Sequence, residues 1–234
     1  LRLSRGLGDV YKRQVLMKNI LITGGAGFIG SNLVKELLKL KIYTIHIFDN
    51  LSTGRIENLP LSNPLLKFYN LNLFSDFKDW PELNNLDYIY HFSANADVRG
   101  GIFNRDIDLE QNVLVTKSVC DYAKKYNCKH LIFASSATVY GEPEYYPTKE
   151  TAPLKQTSIY GASKLSGEAF IQAYSEYADF QSTIFRFVSW IGYGYSHGVI
   201  YDFYNKLKKD PRELEILGDG YQRKSFLDVS DGVR

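Results

Sequence analysis

Cysteine and methionine are nearly absent from this chain, and neither sign of charge is in clear excess: 234 residues carry two Cys, one Met and a formal charge of +2. Cys120 and Cys128 are too few for a disulfide framework and too isolated for a metal site, which points to a reducing compartment, the cytoplasm. No run approaches the ~18 apolar residues of a membrane span, so no membrane partner is expected. The first sixteen residues hold Arg2, Arg5, Lys12 and Arg13 against Asp9 alone, and the remainder carries 24 basic side chains against 25 acidic ones. The basic excess therefore belongs to that leading segment, and no basic face remains to argue for nucleic acid. With 44% hydrophobic residues, 18 Gly and 7 Pro, the chain can build a core and is neither disordered nor low in complexity. At about 100–200 residues per domain it holds one large domain or one and a half.

The segment 1–16 lacks the apolar centre of a secretion signal and stops before Met17, the only methionine. It is expected to be a non-native or disordered leader, with an Arg- and Ser-rich targeting peptide as the competing reading. At the other end the sequence stops just after a strand-like run, 224–229, and a helix-start signal at Ser230-Asp231-Gly232, so a C-terminal truncation is expected.

Between these ends, short β-branched or aromatic runs at 19–23, 44–49, 66–69, 88–92, 130–134 and 183–187 alternate with apolar-periodic segments at 29–40, 109–126 and 158–177. Strand and helix in alternation predict an α/β fold, a doubly wound parallel sheet of the Rossmann type with helices on both faces. After Phe187 the rhythm breaks into a Gly- and Tyr-rich loop at 191–198, a helix near 200–208 and a final strand pair at 214–217 and 225–229. The expected division is a nucleotide-binding domain over 17–187 and the start of a smaller lobe over 188–234.

The first strand turns through Gly24-Gly25-Ala26-Gly27-Phe28-Ile29-Gly30 directly into a helix. Gly24 permits the tight turn, Gly27 lets backbone approach a pyrophosphate, and Gly30 allows helix to pack closely on strand. The helix N-terminus then offers its free N–H groups and dipole to phosphate. Asp49 closes the second strand nineteen residues after Gly30, where an acid binds a ribose 2′-hydroxyl and repels a 2′-phosphate. Dinucleotide binding follows, with NAD favoured over NADP.

Tyr160-Gly161-Ala162-Ser163-Lys164 places a phenol and an ammonium one helical turn apart on one face. A phenol with pKa near ~10 is a poor base, but a neighbouring ammonium and a nicotinamide cation favour the phenolate. Tyr145/Lys149 and Tyr204/Lys208 share the spacing, as eighteen Tyr would make common. Only Tyr160 follows, by some twenty residues, a strand that breaks into a loop at Ser135-Ser136-Ala137-Thr138-Val139-Tyr140-Gly141.

The Gly24-x-x-Gly27-x-x-Gly30 spacing, Asp49 and the Tyr160/Lys164 pair together resemble the extended short-chain dehydrogenase/reductase superfamily, in particular its NAD-dependent nucleotide-sugar epimerases and dehydratases. The resemblance runs from Met17 to Arg234. It implies that Ser136 hydrogen-bonds the reacting hydroxyl and completes a Ser136, Tyr160, Lys164 catalytic set. It also implies that Phe28 and Ile29 lie at the pyrophosphate and that Asn50, Ser52, Thr53 and Gly54 surround the adenosine ribose with Asp49. By the same resemblance Phe92, Ser93, Ala94 and Ala96 line the nicotinamide half, Val188 joins the cofactor set, and Asn112 supports the active site. Asn72-Leu73 stands where an acid usually reads the adenine amine; an Asn carbonyl still accepts that bond. Ser189 occupies the place of an Asn that holds the diphosphate, and Lys224 that of an Arg, keeping the charge but not the bidentate fork. His197, Gly198 and Val199 are expected to wall this substrate pocket.

The related 4,6-dehydratases carry an Asp-Glu pair after the equivalent of Ser136, because elimination needs an acid and a base. Here the pair is Ala137-Thr138, and the run resembles that of 4-epimerases. The resemblance thus implies NAD-dependent C4 epimerisation of a nucleotide sugar, as a homodimer built on the helices at 109–126 and 158–177. Reduction, decarboxylation, dehydration or a non-catalytic NAD(H)-binding scaffold stand as alternatives. His46, His91 and His130 sit on strands without metal spacing and read as packing residues. Cys120 and Cys128 are expected to be buried and inert.

Overall fold

A computed structural model of the protein describes residues 17–97, 104 and 106–234; the expected leader lies outside the described residues. The strands are β1 (Lys18–Thr23), β2 (Tyr43–Asp49), β3 (Leu66–Asn70), β4 (Leu86–His91), β5 (His130–Ser136) and β6 (Gln181–Phe187). They form one sheet in the order β3-β2-β1-β4-β5-β6, every neighbouring pair parallel. The order reverses between β1 and β4, where such sheets open a crevice at the carboxyl ends of the strands.

The buried centres of β1 (Ile20-Leu21-Ile22) and β2 (Ile45, Ile47, Phe48) are apolar toward both sides because both faces of a parallel sheet are covered. On one face Ile20, Ile22, Ile45 and Ile47 pack against Leu33, Val34, Leu37 and Leu38 of α1 (Phe28–Leu40). On the other, Leu21, Phe48, Ile89, Leu131 and Phe133 meet Val119, Tyr122 and Ala123 of α2 (Val115–Lys125) and Ile171 of α3 (Ile159–Ala178). Cys120 and Cys128 belong to this second layer, and burial pushes both thiols up to about 12, as expected of inert packing residues. Phe48 is its aromatic centre, meeting Tyr69, Trp80 and Tyr122 edge-on at centroid distances of 5.4, 6.1 and 5.8 Å.

The helix expected over 109–126 opens instead as a wide π-helical stretch, Leu109–Leu114, before tightening into α2. Within it Asn112 is buried, and its amide is held by the N-cap Asp108 and by two other segments, described below. The expected strand at 214–217 is absent. Lys206 of α4 (Val199–Lys209) takes the Glu215 backbone carbonyl at 2.9 Å, and Ile216 and Leu217 lie exposed beside Gly218 and Gly220, both at positive φ. Its supposed partner pairs elsewhere: β8 (Phe226–Asp228) runs parallel to β7 (Ser189–Ile191), a short strand not expected from the sequence that ends where the loop at 191–198 begins. A four-residue helix, α5 (Val229–Gly232), follows β8. No described helix is long and apolar enough to cross a membrane.

Removing the Phe48 ring leaves a cavity that this aromatic cluster cannot fill. Phe48→Ala should lower stability by about 3–5 kcal/mol in urea denaturation, and a loss below about 1 kcal/mol would contradict the packing described.

Candidate active site

A crevice of about 1540 Å³ runs along the carboxyl ends of the strands. That exceeds the roughly 300–1,000 Å³ of a single small-molecule pocket and leaves room for two extended ligands.

Its first end is the glycine turn between β1 and α1. Gly24 sits at φ 69, and a Cβ there would meet the Ser93 backbone N at 2.8 Å. A Cβ on Gly30 would lie 2.4 Å from the Gly24 carbonyl, so only glycine lets α1 start this close to the strand. Gly27 is the N-cap of α1 and supplies no capping side chain, and no acidic residue occupies the first turn. The helix thus presents uncapped N–H groups to the crevice, an arrangement suited to the phosphates of a dinucleotide. Asp49 accepts the Ala26 N–H on Oδ2 at 3.0 Å and the Leu51 N–H on Oδ1 at 2.8 Å, tying the end of β2 to the glycine turn. These residues fit NAD.

The second focus lies between β5 and α3. Ser136 ends β5 and caps the short 3₁₀ turn Ala137–Tyr140, accepting the Thr138 N–H at 3.2 Å and the Thr138 hydroxyl at 3.0 Å. Ser158 caps α3 through the Gly161 N–H at 3.0 Å, which sets Tyr160 in the first turn, facing Ser136. Burial pushes the Tyr160 phenol up to about 12; its hydrogen bond with Ser136 acts in the opposite sense, and Asp108 adds to the rise. The direction is the reverse of that expected from a neighbouring ammonium alone. One turn on, Lys164 is only 4% exposed, and burial draws its ammonium down to about 8 against the pull of Asp108. Lys164 Nζ donates to the Ala134 carbonyl at 2.9 Å and lies 5.9 Å from the Tyr160 ring centroid.

Two buried networks hold this geometry, and neither was expected from the sequence. Glu168, one turn beyond Lys164, accepts Ser135 Oγ at 2.5 Å and Arg186 Nη2 at 2.8 Å; Arg186 in turn donates to the Tyr140 hydroxyl at 2.9 Å. The ends of β5 and β6, the 3₁₀ turn and α3 are thereby locked together. The i, i+4, i+8 spacing of Tyr160, Lys164 and Glu168 on one helix face was the available signal. Beneath the crevice, Thr116 Oγ1 donates to the Asn112 carbonyl at 2.5 Å and so accepts from His91 Nε2 at 3.0 Å. His91 Nδ1 is then left to accept from Thr23 Oγ1 at 2.7 Å. Burial, with the Lys164 charge, brings His91 down to about 3, a neutral packing residue.

Most residues expected at the site line this one crevice. They are Gly24, Gly27, Phe28, Ile29 and Gly30; Asp49, Asn50, Ser52 and Thr53; Asn72 and Leu73; Phe92, Ser93, Ala94 and Ala96; Ser136, Tyr160 and Lys164; and Val188, Ser189, His197, Gly198 and Lys224. The Asn72 side-chain oxygen already accepts the Phe74 N–H at 3.1 Å. Three expected residues stand off the wall. Gly54 packs against Ala26 and Asp49, Val199 opens α4 behind Gly198, and Asn112 spends its amide on Asn95, Asp108 and Ser163. Arg223, beside Lys224, lines the crevice and was not anticipated.

Residues 20–234 match the NAD dependent epimerase/dehydratase family. A putative UDP-glucose 4-epimerase of Methanocaldococcus jannaschii is 35% identical over 218 residues, covering 91% of this chain and 70% of that protein. The crystal structure of a UDP-galactose 4-epimerase superposes with a TM-score of 0.83 at 38% identity, covering 92% of this chain and 69% of the other. UDP-glucuronic acid decarboxylase 1 of Arabidopsis thaliana is 32% identical over 225 residues, 92% of this chain but 50% of its own length.

Glu168→Gln breaks a buried ion pair from one side and should cost about 3–5 kcal/mol in urea denaturation; a loss of a few tenths would show that the pair does not brace the site. The depressed His91 pKa sets a pH window. Between pH 6.5 and about 3 the unfolded chain holds a proton at His91 that the folded chain refuses. Its contribution is complete above 6.5 and is lost as pH falls through that range. His91→Gln should flatten the fall in unfolding free energy between pH 6.5 and 4, and an unchanged slope would place the proton uptake elsewhere.

Proposed function

This chain belongs to the NAD dependent epimerase/dehydratase family, and from that premise we propose that it interconverts the C4 epimers of a nucleotide sugar, most directly a UDP-sugar. The observation that carries the proposal is the meeting of Ser136, Tyr160 and Lys164 on one wall, with no carboxylate pair after Ser136. In its place stand Ala137 and Thr138, and Thr138 is committed to holding Ser136. An elimination has no acid and base at that point, whereas an epimerisation needs one base that can return its proton.

The glycine turn, the N-terminus of α1 and Asp49 would hold NAD, with Phe92, Ser93 and Ala94 along its nicotinamide half. When bound, NAD supplies a hydride acceptor and donor together with a pyridinium charge whose sign opposes the effect of burial on Tyr160. Ser136 donates to the C4 oxygen and orients it. Tyr160 takes the C4 hydroxyl proton and returns it once the sugar presents its other face. Lys164, held by the Ala134 carbonyl, keeps positive charge beside the phenolate. Arg223 and Lys224 bring two cations to the crevice wall, suited to a diphosphate, and Arg223 offers the guanidinium fork that Lys224 lacks. A homodimer on α2 and α3 is part of the proposal, supported by exposed Leu114, Phe170 and Tyr177 on this helical layer. Sedimentation equilibrium should return twice the chain mass.

The test is NMR of the sugar products after the full chain is incubated with NAD⁺ and either UDP-glucose or UDP-N-acetylglucosamine. The C4 epimer of one of them is expected, and Tyr160→Phe should lower its rate by about 10²–10⁴-fold while NAD binding persists. Both sugars returned unchanged by a chain with bound NAD, or a fully active Tyr160→Phe, would overturn the reading.

A further inference from the structure

Asp108 stands immediately before the π-helical stretch and is wholly buried. Its two oxygens are treated unequally. Oδ1 accepts the side-chain N–H groups of Asn95 at 2.9 Å and Asn112 at 3.1 Å. Oδ2, equally buried, has no hydrogen-bond partner among the described residues. Leaving a carboxylate oxygen dry and unpartnered is costly unless the charge acts on an opposite one nearby.

The buried cation in whose field Asp108 lies, beyond direct ion-pair contact, is Lys164. Its Nζ is bonded to the neutral Ala134 carbonyl and packed over the Phe133 and Tyr160 rings, none of which balances an ammonium. Among the described residues, the other ionisable groups around it are already committed. Glu168 on α3 is paired with Arg186 of β6, and Tyr140 on the 3₁₀ turn is bonded to the same guanidinium. Burial draws His91 on β4 down to about 3 and pushes Tyr160 on α3 up to about 12, so neither brings a negative charge to it here. We propose that Asp108 is a positioning residue for this reaction: its dry oxygen is the counter-charge of the buried Lys164 ammonium, while its paired oxygen pins the Asn95 loop and Asn112 to α3. The mechanical half runs from Asp108 through Asn112 to Ser163 at 2.8 Å, and from Ser163 to the Tyr160 carbonyl at 2.8 Å. The electrostatic half agrees with the opposition between Asp108 and burial at Lys164.

The inference rests on the reading of Tyr160 as base and Lys164 as its partner, so it is tested without sugar turnover. The full chain is labelled with [ε-¹³C]lysine and [ζ-¹³C]tyrosine, and signals are assigned from Lys164→Arg and Tyr160→Phe. Each residue is then titrated by NMR with and without NAD⁺. Asp108→Asn preserves the shape and an acceptor for Asn95 and Asn112 but removes the charge. The Lys164 midpoint, near 8 in the parent, should fall by about one unit, and the Tyr160 midpoint should fall with it. Asp108→Glu should restore both midpoints. If Asp108→Asn does not fold, the smaller neutral Asp108→Ser carries the same expectation. Where turnover is measurable, both limbs of the pH–rate profile of the neutral variant should move to lower pH. An unchanged Lys164 midpoint in a folded neutral variant overturns the inference, whether or not the chain epimerises any sugar.

Discussion

An ammonium withdrawn from water beside a phenol is the constraint around which the rest of this molecule is arranged. Burial draws Lys164 down to about 8 and pushes Tyr160 up to about 12, so each group is biased toward its neutral form. Such a pair works as a base only if fixed dipoles and charges offset the lost hydration. The chain supplies them group by group: the Ala134 carbonyl from β5 and the Asp108 carboxylate before the π-helical stretch act on Lys164, and the Ser136 hydroxyl at the end of β5 acts on Tyr160, where Asp108 instead adds to the effect of burial. Their relative placement matters more than their number. The Glu168–Arg186 pair, reaching Ser135 and Tyr140, clamps strand ends and helix into one frame.

The same frame sets the cofactor end. The crevice opens where the strand order reverses, and the glycine turn places the uncapped start of α1 on one side of it, with β5 and α3 on the other. His91 lies between the two ends, linking Thr23 on β1 to Thr116 on α2 through a neutral imidazole. Motion of α2 against β1 and β4 would break one of these buried bonds.

The sheet was legible because its signal is local and repeated. Six apolar runs with helical periods between them admit one architecture, and strand boundaries moved by no more than two residues at either end. The glycine turn, Asp49 and the Tyr160/Lys164 pair were legible because each motif carries its own spacing. What escaped depends on contacts distant in sequence. Glu168 meets Arg186 only because β6 returns beside β5, and Asp108 bears on the site only because the fold buries it and ties it through Asn112 to Ser163 of α3. The run at 214–217 read as strand from its Leu and Ile content, but no free sheet edge receives it, and β8 found its partner at Ser189–Ile191 instead.

The most direct test of the account follows one atom. The full chain with NAD⁺ is given UDP-glucose carrying deuterium at C4, and the product is examined by NMR and mass spectrometry. C4 epimerisation by removal and return at the same carbon predicts UDP-galactose with the deuterium still at C4 and none exchanged with water. Deuterium lost to solvent, or found at C6 of a 4-keto-6-deoxy product, would contradict it.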